Sequence, residues 1–307
     1  MPNWAYQEIH CKNKEDLEKI RNAFSKDPSN NYADIDFNKI IPMPKSIKLT
    51  SSPSDFKAAA FFLMPNEVLP LEEIKLKIDE FAKTLKNPIH KTLNNMTIKD
   101  LVDIKANKRH KEIILSKINE PDHEIIENQF RNYCKEFNLE PTIENYGKQM
   151  LYNYMMYGTC DWHDWSNINW DTKWNASDTI WSEQSVYFRT AWNASQTIPM
   201  EISKQLNTPL FVEWAEEQYT EYGGIFEINN GEIIDIEDYD GGSKEMFIVA
   251  ARLDDPDQQS MRYDEDNQKF VFEWDLDDIN SDSPYKSIED IPEIDLTLEK
   301  LEEFKNN

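Results

Sequence analysis

Apolar and polar residues alternate from the start of the chain. Trp4–Cys11 reads as a strand, and Asn13 then precedes a helical pattern that puts Leu17, Ile20 and Phe24 on one face. Asp27–Asn31 is rich in turn residues. Ile35–Ile41 resumes as an extended segment that must stop at Pro42 and Pro44, because proline fixes φ and has no N–H to donate. From Asn66 to about Gly158 the patterns are helical, at Leu71–Leu85, Thr97–Ala106, His110–Asn119, His123–Phe137 and Ile143–Tyr157. Strands return at Ser185–Trp192, with Val186, Phe188 and Trp192 on an apolar face, and at Leu210–Ala215, with Leu210, Val212 and Trp214 on another. A short helix, Pro199–Leu206, lies between them. Ile225–Ile228 and Glu232–Ile236 flank Asn229, Asn230 and Gly231, residues that accept the positive φ of a tight hairpin turn. Past Asp254, the apolar run Phe270–Trp274 predicts a further strand or hairpin, and Leu296–Phe304 predicts a terminal helix.

Two β–α–β units in series predict an α+β fold: a ferredoxin-like sandwich with a large helical insertion, an added β-hairpin and an acidic C-terminal extension. The corresponding divisions are residues 1–65 with 160–253 for the core and hairpin, 66–159 for the helical insertion, and 254–307 for the extension.

Charge changes this picture by separating the two halves. The 58 acidic residues outnumber the 33 basic ones, for a formal charge of −25. Residues 1–150 hold 23 of each sign, whereas residues 151–307 hold 35 acidic and 10 basic residues, so the second half carries the whole excess. Phosphate recognition is built from Lys and Arg, so direct nucleic-acid binding is not expected, and a protein partner with a basic surface fits better. A solvated acidic face is the plainer alternative. The opening MPNWAYQEIH lacks a basic stretch followed by an apolar run, and no 18 apolar residues stand together, which predicts a cytoplasmic protein without a membrane span. Cys11, Cys134 and Cys160 form no CxxC pair and are expected as reduced thiols.

Candidate chemistry is sparse. Asp161, His163 and Asp164 make the densest His–carboxylate cluster, where a metal or an acid–base pair is conceivable, but the other histidines are scattered and a surface loop accounts for it as well. Asp275, Asp277, Asp278, Asn280 and Asp282 suggest a calcium loop, yet Asn280 stands at the position that needs Gly and Lys286 at the position that needs Glu, which rejects an EF-hand. Trp162, Trp165, Trp170 and Trp174 could form a stacking platform, but Lys173 is the only nearby cation, which favours packing. No GxxxxGK[ST], GxGxxG or GxSxG motif occurs, so no cofactor and no catalytic residue is expected.

The opening MPNW, FNKIIPMP at Phe37–Pro44, NWDTKWNA at Asn169–Ala176 and TAW at Thr190–Trp192 resemble the YubP-like, or Api-ninety-two-like, family. The resemblance covers the N-terminus and roughly Asn169–Ile236. It implies a ferredoxin-like domain encoded on phages, conjugative plasmids and prophages, with no assigned activity. This chain departs from the family pattern at Ala5, where a Cys is common, at Asp171, where Gly is common, and in its long acidic C-terminal part.

Together these readings predict a non-enzymatic phage or mobile-element accessory protein that binds a host protein through an acidic surface. The sharpest form is an inhibitor of an antiviral defence nuclease, because arrayed carboxylates imitate phosphates in a basic groove. The candidate contact residues are Glu213, Glu216, Glu217, Asp235, Glu237, Asp238, Asp240, Asp254, Asp255, Asp257, Asp264, Glu265, Asp266, Asp275, Asp277 and Asp278. Two rivals stay open: an enzyme or ligand-binding protein with its site in the loop 161–174, and an assembly component, for which homo-oligomerisation is allowed.

Overall fold

The computed structural model describes residues 3–49, 135, 149, 153, 156–159, 161–217, 222–276 and 283–306. The helices expected between 66 and 157 lie almost wholly outside the described residues, as do Cys134, Cys160, Asp277 and Asp278. The chain forms two compact units, Met1–Pro42 with Asn167–Asn307, and Met43–Ser166.

Six strands, β1 (Trp4–Cys11), β2 (Ser177–Trp181), β3 (Ser185–Ala191), β4 (Leu210–Glu216), β5 (Gly223–Asn229) and β6 (Glu232–Asp238), make one antiparallel sheet in the order β2-β3-β1-β4-β5-β6. A second sheet pairs β7 (Met261–Asp264) with β8 (Lys269–Phe272). The helices among the described residues are α1 (Lys14–Phe24), α2 (Phe37–Ile40), α3 (Trp162–Trp170), α4 (Thr197–Leu206), α5 (Lys244–Asp254), α6 (Glu273–Leu276) and α7 (Glu299–Asn306). The order β2-β3-β1-β4, with α1 and α4 packed together on one face, is the ferredoxin-like arrangement, and the β5–β6 hairpin extends it beyond β4.

Local chemistry explains the elements. Asn13 caps α1 by accepting a 2.9 Å bond from the Asp16 N–H, and Glu15 and Asp16 favour the positive end of its dipole. The β5–β6 turn places Asn230 at φ 49° and Gly231 at φ 82°, the two positive angles of a type I′ hairpin. A Cβ on Gly231 would also stand 2.7 Å from Lys204 Cβ. Between α1 and β3, Phe37 packs edge-on against Trp170 and Phe188, both at 5.8 Å, and the Trp170 indole N–H donates to the Ile41 carbonyl at 3.0 Å.

The face of the sheet opposite α1 and α4 is covered as well. Tyr6, Phe211, Ala215 and Ile225 point there and pack with Phe247, Val249 and Ala250 of α5, with Met261, Tyr263 and Phe270 of the small sheet, and with Leu301 and Phe304 of α7. The segment expected as an acidic extension thus contributes buried core residues, each fully buried large apolar side chain being worth roughly 1.5–3 kcal/mol. A Cβ on Gly223 would meet the thioether end of Met246 from α5 and stand 2.9 Å from the Trp214 carbonyl oxygen.

Four local expectations change. Ile35–Ile41 is not extended throughout: Asp36 accepts from the Asn38 N–H at 3.1 Å and starts the short helix α2. Trp192 does not continue the apolar face of β3, because the strand ends at Ala191 and Trp192 turns out at φ 78°, with 48% of its surface exposed. On β4, Phe211, Glu213 and Ala215 are as buried as Leu210 and Val212, so both faces of this strand are interior. Strand β2 and helix α5 have no counterpart in the pattern-based reading. No helix of the described residues is long and apolar enough to cross a membrane.

Candidate functional site

The acidic residues singled out above divide by environment. Glu213 is not a surface group: it is 0% exposed, at the centre of the sheet. The Arg252 guanidinium reaches it from α5 with two bonds, Nε to Oε2 at 2.7 Å and Nη2 to Oε1 at 2.8 Å, and His10 Nε2 lies 2.7 Å from Oε1. An ionised carboxylate only accepts, so His10 Nε2 carries the proton of that bond. Burial alone would push the Glu213 carboxyl up, but the Arg252 and His10 bonds outweigh it and hold it at about 2. Glu8 completes the cluster, 3.8 Å from His10 and accepting from the Ser185 hydroxyl at 2.5 Å. Glu8, His10 and Glu213 have convergent ligand atoms, but a cation entering there would have to displace Arg252, whose charge already balances Glu213. The sequence signal for this ion pair is Arg252 itself, a charged residue in the apolar run MFIVAARL.

Two more of the sixteen are structural. Asp255 accepts from the backbone N–H of Gln259, Ser260 and Met261, which fastens the turn between α5 and β7. Asp264 accepts from the Asp266 and Asn267 N–H groups in the β7–β8 turn. Asp235 and Glu237 share Lys300 at 2.5 and 2.6 Å, Glu265 pairs with Lys244, Asp254 lies 3.9 Å from Arg189, and Glu217 accepts from the Trp4 N–H at 2.9 Å. Glu216 is half-buried on β4. Asp238, Asp240, Asp257, Asp266 and Asp275 are exposed.

The stretch expected as a surface loop is helical from Trp162 to Trp170, and Asp161 is buried just ahead of it, its Oδ1 accepting from the Asp164 N–H at 2.9 Å in the manner of a helix cap for α3. Burial pushes its carboxyl up, while that bond pulls it down. His163 Nδ1 is 3.4 Å from Asp164 Oδ1, and the three side chains bring potential ligand atoms within 4.8 Å of one another. The tryptophans of this stretch do not form one exposed platform: Trp165 and Trp170 are buried, Trp162 is half-buried with its ring against His163, and Trp174 is exposed.

A cavity of about 310 Å³ lies where α4 begins, lined by Asp171, Asn193, Gln196, Thr197, Trp214 and Phe226 among others. Asp171 stands at φ 60°, and its Oδ2 accepts from the Gln196 and Thr197 N–H groups at 3.1 and 2.7 Å, capping α4. Sequence patterns could not mark Asn193 and Gln196, in the connection between β3 and α4, as neighbours of Trp214 on β4, because tertiary packing brings them together.

Residues 169–268 match a family model described as the ferredoxin-like domain in Api92-like protein, beginning at the Asn169–Ala176 motif noted above. The chain is also similar to a solved structure, the crystal structure of a protein api92 from Yersinia pseudotuberculosis, at 11% identity and a TM-score of 0.33, over 78% of this chain and 98% of that one. No curated protein matches. Over residues 169–268 the chain carries the ferredoxin-like domain of the Api92-like family.

Proposed function

We propose that this protein acts by binding a protein partner through its acidic surface, as a non-enzymatic accessory protein of a phage or other mobile element. The partner is a host protein with a basic, nucleic-acid-binding face, and an antiviral defence nuclease is the sharpest case. The observation that carries the reading is how the scarce cations are used. Of the seven basic residues after Glu213, Arg252, Lys244, Arg262 and Lys300 are each committed to carboxylates of the same chain. Asp238, Asp240, Asp257, Asp266 and Asp275 stay exposed, so the outward field of this half is negative.

Affinity capture from the host at low and high salt tests the proposal. The expected result is a basic partner held at low salt and released at high salt. Capture of only salt-insensitive or acidic partners would overturn it.

A further inference from the structure

We infer that the cavity at the start of α4 is a binding site for a neutral, hydroxyl-rich ring, the chemistry of a single sugar unit, whether free, part of a glycan or part of a nucleoside. This assignment does not depend on the acidic-surface reading.

Size is the first argument. At about 310 Å³ the cavity is at the small end of ligand pockets, which suits one ring rather than an extended ligand. Its polar lining is the second. Asn193 and Gln196 supply side-chain amides and Thr197 a hydroxyl, groups that both donate and accept and so match a hydroxyl ligand in either sense. Trp214 and Phe226 provide aromatic walls, and Met200 adds an apolar edge against which the C–H face of a ring can rest.

Charge decides against other classes. Asp171 brings one carboxylate into the lining, but its Oδ2 is bound to the first N–H groups of α4, so the positive end of the helix dipole offsets that charge. A phosphate or carboxylate ligand would compete with Asp171 for those N–H groups inside a chain of net charge −25, which disfavours anions. The indole N–H of Trp214 points the same way. It is buried and meets no acceptor among the described residues, an arrangement that costs about 1–3 kcal/mol. The nitrogen is closed to solvent as it stands, and a ligand hydroxyl oxygen seated against this wall would supply the missing acceptor once the ring turns toward the cavity.

The test is saturation-transfer NMR on the full chain with D-ribose, D-glucose, D-galactose and N-acetylglucosamine, with inorganic phosphate as a competitor. Indole resonances of ¹⁵N-Trp-labelled protein are recorded in parallel. At least one sugar should bind saturably with millimolar affinity and shift the indole signal that W214F removes. Asn193→Ala, on an exposed residue, should weaken binding at least fivefold, while K269A, at an exposed position on β8 in the layer over the opposite face of the sheet, should leave it unchanged. The inference falls if no sugar of the panel binds, if N193A binds as well as the parent protein, or if phosphate displaces the sugar. Each of these outcomes leaves the acidic-surface proposal standing, since that proposal is tested by protein capture.

Discussion

Removing Arg252 should be among the most damaging single changes in the described core. In R252A, Glu213 keeps its place in the sheet at 0% exposure and loses two charge-assisted bonds of 2.7 and 2.8 Å, leaving His10 as its one direct side-chain partner among the described residues. Breaking a buried pair by deleting one side costs about 3–5 kcal/mol, because the remaining charge is stranded. The same bonds set the titration of Glu213: against the upward push of burial, Arg252 and His10 together hold its carboxyl at about 2. Because the folded value is the lower one, this stabilisation is fully present above pH 4.5 and is lost as pH falls from 4.5 toward 2. Urea unfolding followed by near-ultraviolet circular dichroism should therefore show a much lower midpoint for R252A at pH 7. The difference from the parent protein should shrink at acid pH. Replacing both partners, as in E213L/R252M, should recover at least half of the loss, since an apolar pair of similar volume leaves no stranded charge. A midpoint for R252A within about 1 kcal/mol of the parent, a scale typical of exposed ion pairs, would refute the reasoning, as would a double variant no better than R252A.

Other outcomes follow from single positions. G231A should cost about 1–2 kcal/mol in the same unfolding assay, because an L-residue at φ 82° is strained and its Cβ would crowd Lys204. D171A should be less stable than D171G: both lose the α4 cap, but only alanine is also strained at φ 60°. Thermal midpoints of equal height would remove that distinction. The Cys11 thiol is pushed up to about 12, first by burial and then by Asp16, so in a C134S/C160S background it should react with a thiol reagent only under unfolding conditions. Rapid labelling of the native protein at pH 8 would contradict this.

Elements governed by local chemistry were readable in advance. Strand β1 alternates, α1 has its cap and apolar stripe, and the Asn230–Gly231 turn needs no distant contact to form. Elements that depend on tertiary partners were not. Strand β2 is short and irregular, with Asp178 at φ 51° and a shift in register against β3, so no two-residue period stands out. Helix α5 lies in a run apolar enough to suit either a helix or a strand. Glu213 looks like an outward acidic position when β4 is read as a one-faced strand. It becomes interior because α5 covers the second face and brings Arg252 to it. The same added layer explains why Asp255 and Asp264 hold turns together while Asp257 and Asp266, two residues away from each, face out.

The salt dependence of the complex with the captured host partner tests the central claim most directly, by titration calorimetry at several salt concentrations with the parent protein and with D238K/D240K/D257K/D266K. The account predicts affinity that falls steeply as salt rises, and a charge-reversed variant that binds at least tenfold more weakly at low salt with a shallower dependence. Affinity independent of salt and unaffected by those four substitutions would contradict it.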